Sequence, residues 1–226
     1  MNASGKSCAL AEKPHNTVPT QEPYIHMKLK LPAGAFRAYL FDCDGTIVES
    51  MPLHYMSWKA VLGEYGCDFD EDLFYSWGGK PTDEIISELN QMKGLQMPVA
   101  EVAKRKESAY FDLLPRLKTI PEVVEHIEAE HNRIPFAVVS GGRRTSVTRA
   151  LAQVGLLDRF QTIVGAGDYA HGKPAPDGFL LAAERLGVAP ADCLVFEDTA
   201  LGIQAATAAG MASVLVLSPA ERNAAK

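Results

Sequence analysis

A short apolar block, Ala38-Tyr39-Leu40-Phe41, runs straight into two aspartates one residue apart, Asp42 and Asp44, followed by Gly45 and Thr46. An apolar run rich in β-formers and ended by turn residues predicts a buried strand with acidic chemistry at its carboxyl end. Ligands of open α/β sheets gather at that end of the strands. Strand side chains alternate, so Asp42 and Asp44 share a side if the strand continues, and Cys43 points away as core filler. Gly45 predicts a bend and a close backbone approach. An Asx turn closing a strand uses the same residue types, so this stretch alone leaves both readings open. The rest of the chain separates them.

Beyond Thr46 the pattern becomes helical. Residues 50–65 start at Ser50 as a cap, with Pro52 in the first turn. Residues 70–77 follow, then a loop Gly78-Gly79-Lys80-Pro81, then residues 82–92 with Thr82 as cap, and residues 98–114. No strand is predicted between 48 and 118, so residues 49–117 read as an inserted helical cap. Strands and helices then alternate. Helices over 122–130, 143–154, 177–186 and 201–209 are interleaved with strands over 135–139, 161–164, 193–196 and 213–217. This alternation predicts an α/β fold, a parallel sheet with helices on both faces, whose core comprises 35–48 and 118–226. Residues 1–34, rich in Pro, Thr, Asn, Lys and Gly without periodicity, read as a poorly ordered leader. Within them Gly5-Lys6-Ser7 lacks the strand and earlier glycine of a phosphate loop.

With 226 residues and 47% apolar content the chain can bury a sizeable core. A net charge of −6 argues against nucleic-acid and anionic-membrane partners. Cys8, Cys43, Cys67 and Cys193 lack zinc-site spacing and read as reduced thiols of a cytoplasmic protein, taken as a monomer.

Several predicted strands end in polar residues: Asp42 and Asp44, then Ser140-Gly141-Gly142, then Glu197-Asp198, with Lys173-Pro174 in a loop between them. Parallel topology brings these stations to one sheet edge. Clustered carboxylates repel, and a hard divalent cation is their natural compensation; an oxygen-only ligand set suits Mg²⁺. A serine, the backbone N–H groups after Gly141 and a lysine can hold a phosphoryl group. One carboxylate can attack phosphorus while another moves a proton.

Asp42-Cys43-Asp44-Gly45-Thr46, Ser140, Lys173-Pro174 and Glu197-Asp198 followed by Gly202 and Ala205 resemble, in order and spacing, the four motifs of the haloacid dehalogenase superfamily. The likeness runs from Arg37 to the C-terminus. Pro52-Leu53-His54, the helical insertion and Gly172-Lys173-Pro174-Ala175-Pro176-Asp177 are similar to the branch of β-phosphoglucomutases and small sugar-phosphate phosphatases. The resemblance implies a Rossmann-like core under a closing cap, Mg²⁺ as cofactor and a small phosphorylated metabolite as substrate. It implies Asp42 as nucleophile and metal ligand, and Asp44 as acid/base that also binds metal through its carbonyl. Ser140, Gly141 and Lys173 hold the phosphoryl group, Thr46 supports the loop, and Asp198 ligates metal. Glu197 is a further ligand or a group that orients one. His54 matches a histidine that assists the acid/base carboxylate, and Arg143 reaches substrate from beyond Ser140. Solvated charges, strand ends and helix caps account for each of these residues taken singly.

Thr82 falls where mutases of this branch place an arginine for a second phosphate, and threonine cannot make that bidentate contact. Lys80 offers a substitute cation, and Gly79 belongs to the same cap loop. The Gly-x-Pro-Thr loop and Phe196-Glu197-Asp198 resemble fructose-1-phosphate phosphatase-like proteins. The expected activity is hydrolysis of a singly phosphorylated sugar or polyol. A hexose-phosphate mutase and a non-catalytic binding protein on the same scaffold are the alternatives.

Overall fold

Strand β1, Ala38–Phe41, sits at the centre of a five-stranded sheet with every side chain buried. It pairs in parallel with β2 (Phe136–Arg143) and with β4 (Cys193–Glu197). β3 (Thr162–Ala166) lies outside β2 and β5 (Ala212–Leu215) outside β4, all parallel, in the order β3-β2-β1-β4-β5. The computed structural model describes residues 29–78 and 80–218, together with Met1 and Glu221.

The side-chain alternation of β1 divides the core in two. Tyr39 and Phe41 face α5 (Pro121–Glu130) and α6 (Arg144–Gln153) through Val123, Ile127, Val147 and Leu151. Ala38 and Leu40 face α7 (Asp177–Leu186) and α8 (Ala200–Ala208) through Phe179, Ala182, Ala205 and Ala206. Phe41 stacks on Phe196 of β4 with ring centroids 4.6 Å apart. Truncating such a fully buried ring costs about 3–5 kcal/mol, so the strand carrying Asp42 is firmly anchored.

Between β1 and α5 the described residues form four α-helices: α1 (Met51–Gly63), α2 (Glu71–Ser76), α3 (Thr82–Lys93) and α4 (Val99–Leu113). They enclose their own core around Trp58, Leu62, Phe69, Phe74, Ile86 and Leu89, with Trp77 packed against it. This all-helical cap joins the sheet through two adjacent crossings. Glu49 N–H donates to the Lys118 carbonyl at 2.9 Å, Ile120 N–H to Ile47 at 2.9 Å, and Val48 bridges Thr119 antiparallel. A small apolar cluster of Leu53, Tyr110 and Leu114 from the cap with Ala150 of α6 docks it on the core.

Local departures from the sequence pattern have physical causes. Ser50 occupies the cap position of α1 without capping it, because its hydroxyl donates to Asp44 instead. Thr82 is the first residue of α3, with Pro81 before it, whereas Asp70 does cap α2 through Leu73 N–H at 3.1 Å. β2 runs on to Arg143 rather than ending at Val139. A register shift lies between those residues, and Gly165 of β3 leaves room for the backbone at Arg144, 2.7 Å from where a Cβ would stand. The packed chain starts earlier than residue 35, since Leu29 and Leu31 lie against the core. The rest of the expected leader through residue 28, with Gly5-Lys6-Ser7 and Cys8, falls outside the described residues apart from Met1, as does Gly79. Among the described residues no helix is long and apolar enough to cross a membrane.

Candidate active site

Asp42 is the first residue past β1, fixed by its own N–H, which donates to the Phe196 carbonyl at 2.9 Å. Its Oδ1 accepts from Lys173 Nζ at 2.6 Å, and the same ammonium reaches Glu197 Oε1 at 2.5 Å. One partly buried lysine thus ties the ends of two adjacent strands. Glu197 is held from its other side: Oε2 accepts from the N–H and hydroxyl of Thr199 at 2.6 and 2.8 Å. Thr199 in turn caps α8 by accepting from Gly202 N–H at 3.0 Å. Gly202 is required there, because a Cβ would stand 1.9 Å from the Glu197 carboxylate.

Asp198 completes the group. Thr46 Oγ1 donates to it at 3.2 Å, and its Oδ2 lies 2.0 Å from where a Cβ of Gly45 would be, a glycine at φ +94°. Oxygens of Asp42, Glu197 and Asp198 all fall within 4.8 Å of one another. Burial pushes the Asp42 carboxyl well above its ordinary value, with Lys173 opposing and the neighbouring acids adding to the rise. Burial and then Glu197 raise Asp198 likewise. Burial works against the Lys173 charge, but Asp42 and Glu197 outweigh it and raise that pKa. Three clustered carboxylates, Asp42 and Glu197 buried and Asp198 partly so, beside one ammonium leave negative charge uncompensated. This hard-oxygen donor set fits Mg²⁺.

Asp44 turns to other partners instead of sharing Asp42's surroundings. Its Oδ1 accepts from the Ser50 hydroxyl at 2.5 Å and faces His54 Nε2 at 3.4 Å. Burial alone raises its carboxyl; the His54 and Ser50 hydrogen bonds outweigh that and bring the pKa to about 2. His54 stacks on Tyr110, with centroids 3.9 Å apart, and its Nδ1 lies 2.9 Å from Lys106 Nζ. Burial, then Lys106, depress the imidazole pKa, and burial lowers that of Lys106 to about 8.

Ser140 is buried at the bend of β2; its Oγ accepts from Gly142 N–H at 3.0 Å, and its carbonyl from the Tyr169 hydroxyl at 3.0 Å. A Cβ on Gly142 would lie 3.3 Å from Ser140 Oγ and 3.7 Å from Asp44 Oδ2, so both groups converge on that glycine. Gly141 is exposed beside them. A cavity of about 80 Å³ opens between core and cap, with Asp44 and His54 at its wall and Thr82 and Arg143 among its other lining residues. Lys80 is placed differently from the substitute cation expected. Its ammonium binds both oxygens of Glu88 at 2.7 and 2.6 Å and lies 4.3 Å from the Trp77 ring centroid, away from this cavity.

The fold therefore gathers Asp42, Thr46, Lys173, Glu197 and Asp198 in one group, with Asp44, Ser140 and His54 adjoining. Sequence reasoning missed Lys106, Glu107, Tyr110 and Ser146, which line the cavity, and Thr199, which holds Glu197. One signal was present. Val102, Ala103, Lys106 and Tyr110 form the buried stripe of α4, so a lysine interrupts an apolar face.

The haloacid dehalogenase-like hydrolase family profile matches residues 36–210. The chain is 38% identical over 180 residues to fructose-1-phosphate phosphatase YqaB of Escherichia coli strain K12, covering 79% of this chain and 95% of that protein. It is 30% identical over 178 residues to a phosphorylated carbohydrates phosphatase of Thermotoga maritima, covering 77% and 82%. The crystal structure of β-phosphoglucomutase from Clostridium difficile superposes with a TM-score of 0.69 at 26% identity, covering 79% of this chain and 83% of that one. Motif order, sheet topology and these similarities agree: the chain belongs to the haloacid dehalogenase-like hydrolases.

Proposed function

We propose that this hydrolase is a Mg²⁺-dependent phosphatase of small, singly phosphorylated sugars or polyols, working through an aspartyl-phosphate on Asp42. The observation that carries this reading is Lys173 bridging Asp42 and Glu197, with Asp198 alongside. The phosphatase names of the Escherichia coli and Thermotoga maritima relatives support it and make fructose 1-phosphate the first substrate to try. Asp42, the Asp44 carbonyl and Asp198 would hold the metal; Glu197, with both oxygens engaged, orients Lys173. Bound Mg²⁺ neutralises carboxylate and phosphate charge so that the anionic ester can approach.

In the first step an Asp42 oxygen bonds to phosphorus as the ester P–O bond breaks, and Asp44 gives its proton to the leaving alkoxide. An anionic ester beside Asp44 favours the protonated form needed for this. In the second, water attacks phosphorus, Asp44 takes back a proton, and Asp42 leaves as free carboxylate with release of phosphate. Lys173, Ser140 and the backbone at Gly141 bind the phosphoryl oxygens. Thr82 in the cavity wall, where a mutase needs an arginine, supports hydrolysis over transfer to a second site.

Phosphate release from a panel of sugar phosphates tests the reading. Asp42→Asn and EDTA should each abolish it, and undiminished turnover after either removes the mechanism. Interconversion of glucose 1- and 6-phosphates faster than phosphate release would replace phosphatase by mutase.

A further inference from the structure

The cap wall of the cavity carries two polar atoms, Glu107 Oε2 and the Tyr110 hydroxyl, that neither the phosphoryl chemistry nor the packing uses. Glu107 and Tyr110 stand one turn apart on α4, on the same face. Glu107 Oε1 accepts from the Ser146 hydroxyl of α6 at 2.5 Å, and Oε2 has no hydrogen-bond partner among the described residues. The Tyr110 side chain is 2% exposed, and its hydroxyl is the one buried side-chain polar atom without a partner among the described residues. A buried donor left unpaired costs about 1–3 kcal/mol. Such a group in a site wall therefore points to a ligand atom that completes it.

We propose that Glu107 and Tyr110 form the subsite that reads the hydroxyl-bearing part of the substrate, and that Glu107 selects a hydroxyl over a second phosphate there. This rests on the phosphatase reading above. A carboxylate only accepts hydrogen bonds, so a sugar hydroxyl satisfies it, whereas a phosphate offers further acceptors and like charge. Tyr110 supplies the complementary donor to a ring or hydroxyl oxygen. Its ring, stacked on His54, fixes the reach of that donor relative to Asp44. Arg143 lines the same cavity, so the Glu107 charge, rather than a lack of cations, sets the preference.

The test compares wild type, Glu107→Gln and Tyr110→Phe on a hexose monophosphate, the same hexose bisphosphate and acetyl phosphate, which has no polyol. Glu107→Gln keeps an oxygen for Ser146 but loses the charge. It should shift the monophosphate-to-bisphosphate ratio of kcat/KM toward the bisphosphate by roughly tenfold. Tyr110→Phe should raise KM for the hexose monophosphate by roughly tenfold relative to acetyl phosphate, without lowering Tm, because no bond within the protein is lost. Unaltered ratios in both variants, with an active wild type, overturn the subsite and leave the phosphatase reading intact. A lowered Tm in Tyr110→Phe without a KM change assigns that hydroxyl to the fold and overturns its part. A wild type that releases phosphate from none of the esters overturns both readings together.

Discussion

Lys106 Nζ stands 2.9 Å from His54 Nδ1, while His54 Nε2 faces Asp44 Oδ1 at 3.4 Å. An ammonium can only donate, so Nδ1 is the acceptor and the ring proton sits on Nε2, toward Asp44. The cap lysine thus sets the tautomer of the histidine that faces Asp44.

This arrangement costs stability below pH about 8, and the cost is relieved as pH rises from there toward 10.5. Lys106 is lowered by burial from 10.5 to about 8, so between those values the unfolded state binds more protons and stability rises with pH. Lys106→Met should be more stable than wild type by roughly 1–3 kcal/mol at pH 7, with the gap closing as pH climbs through that window. Its kcat should fall by about 10–100-fold through loss of the histidine orientation. Urea unfolding at pH 7 and pH 10 checks the first part; a variant less stable at pH 7 refutes it.

The acidic cluster makes the opposite prediction. Asp42 and Asp198 are raised, so the folded state binds more protons than the unfolded one, and the metal-free site loses stability as pH rises from 3.8 to about 7. Mg²⁺ compensates carboxylates only once they are charged. At a hundredfold excess over Kd it should add about 2.7 kcal/mol, and its effect on Tm should be larger at pH 7.5 than at pH 5. Asp198→Asn should remove most of that shift. Equal Mg²⁺ shifts at both pH values, read by thermal melts, would contradict the assignment.

Gly202 supplies a test through the sign of its effect. Gly→Ala inside a helix ordinarily stabilises by about 1 kcal/mol. Here the new methyl meets the Glu197 carboxylate at 1.9 Å, and Glu197 cannot retreat without releasing Lys173 or Thr199. Gly202→Ala should therefore destabilise by about 1–3 kcal/mol and lower phosphate release with it. Paired melts and assays decide; a stabilised, fully active variant would show that the contact has room to relax.

The sheet was legible because its strands are short apolar blocks that stop at polar residues, as at Phe41-Asp42 and Phe196-Glu197. Motif residues of the core were legible for the same reason: parallel topology brings strand ends together whatever lies between. The cap wall was not. Glu107 resembles a solvated helix charge until the docking of α4 on α6 is known, and that contact joins segments with no periodic relation. Ser50 was read as a helix cap because that rule is local, yet a partly buried carboxylate six residues back took its hydroxyl. Lys80 pairs with Glu88, two turns along, across the start of α3, a contact that its loop sequence does not announce.

The paired crossings at Glu49–Lys118 and Ile47–Ile120 make the cap's attachment behave as one ribbon. Two independent threads would let the helices slide and twist; a hydrogen-bonded pair favours a swing along a single arc. Ser50 and His54 lie immediately beyond that ribbon, so such a swing would carry the imidazole relative to Asp44, whereas Asp42 at the end of β1 and Lys173 in the loop before α7 belong to the core. On the proposed mechanism the attacking carboxylate would keep its place, whereas the proton affinity of its neighbour would follow the position of the cap.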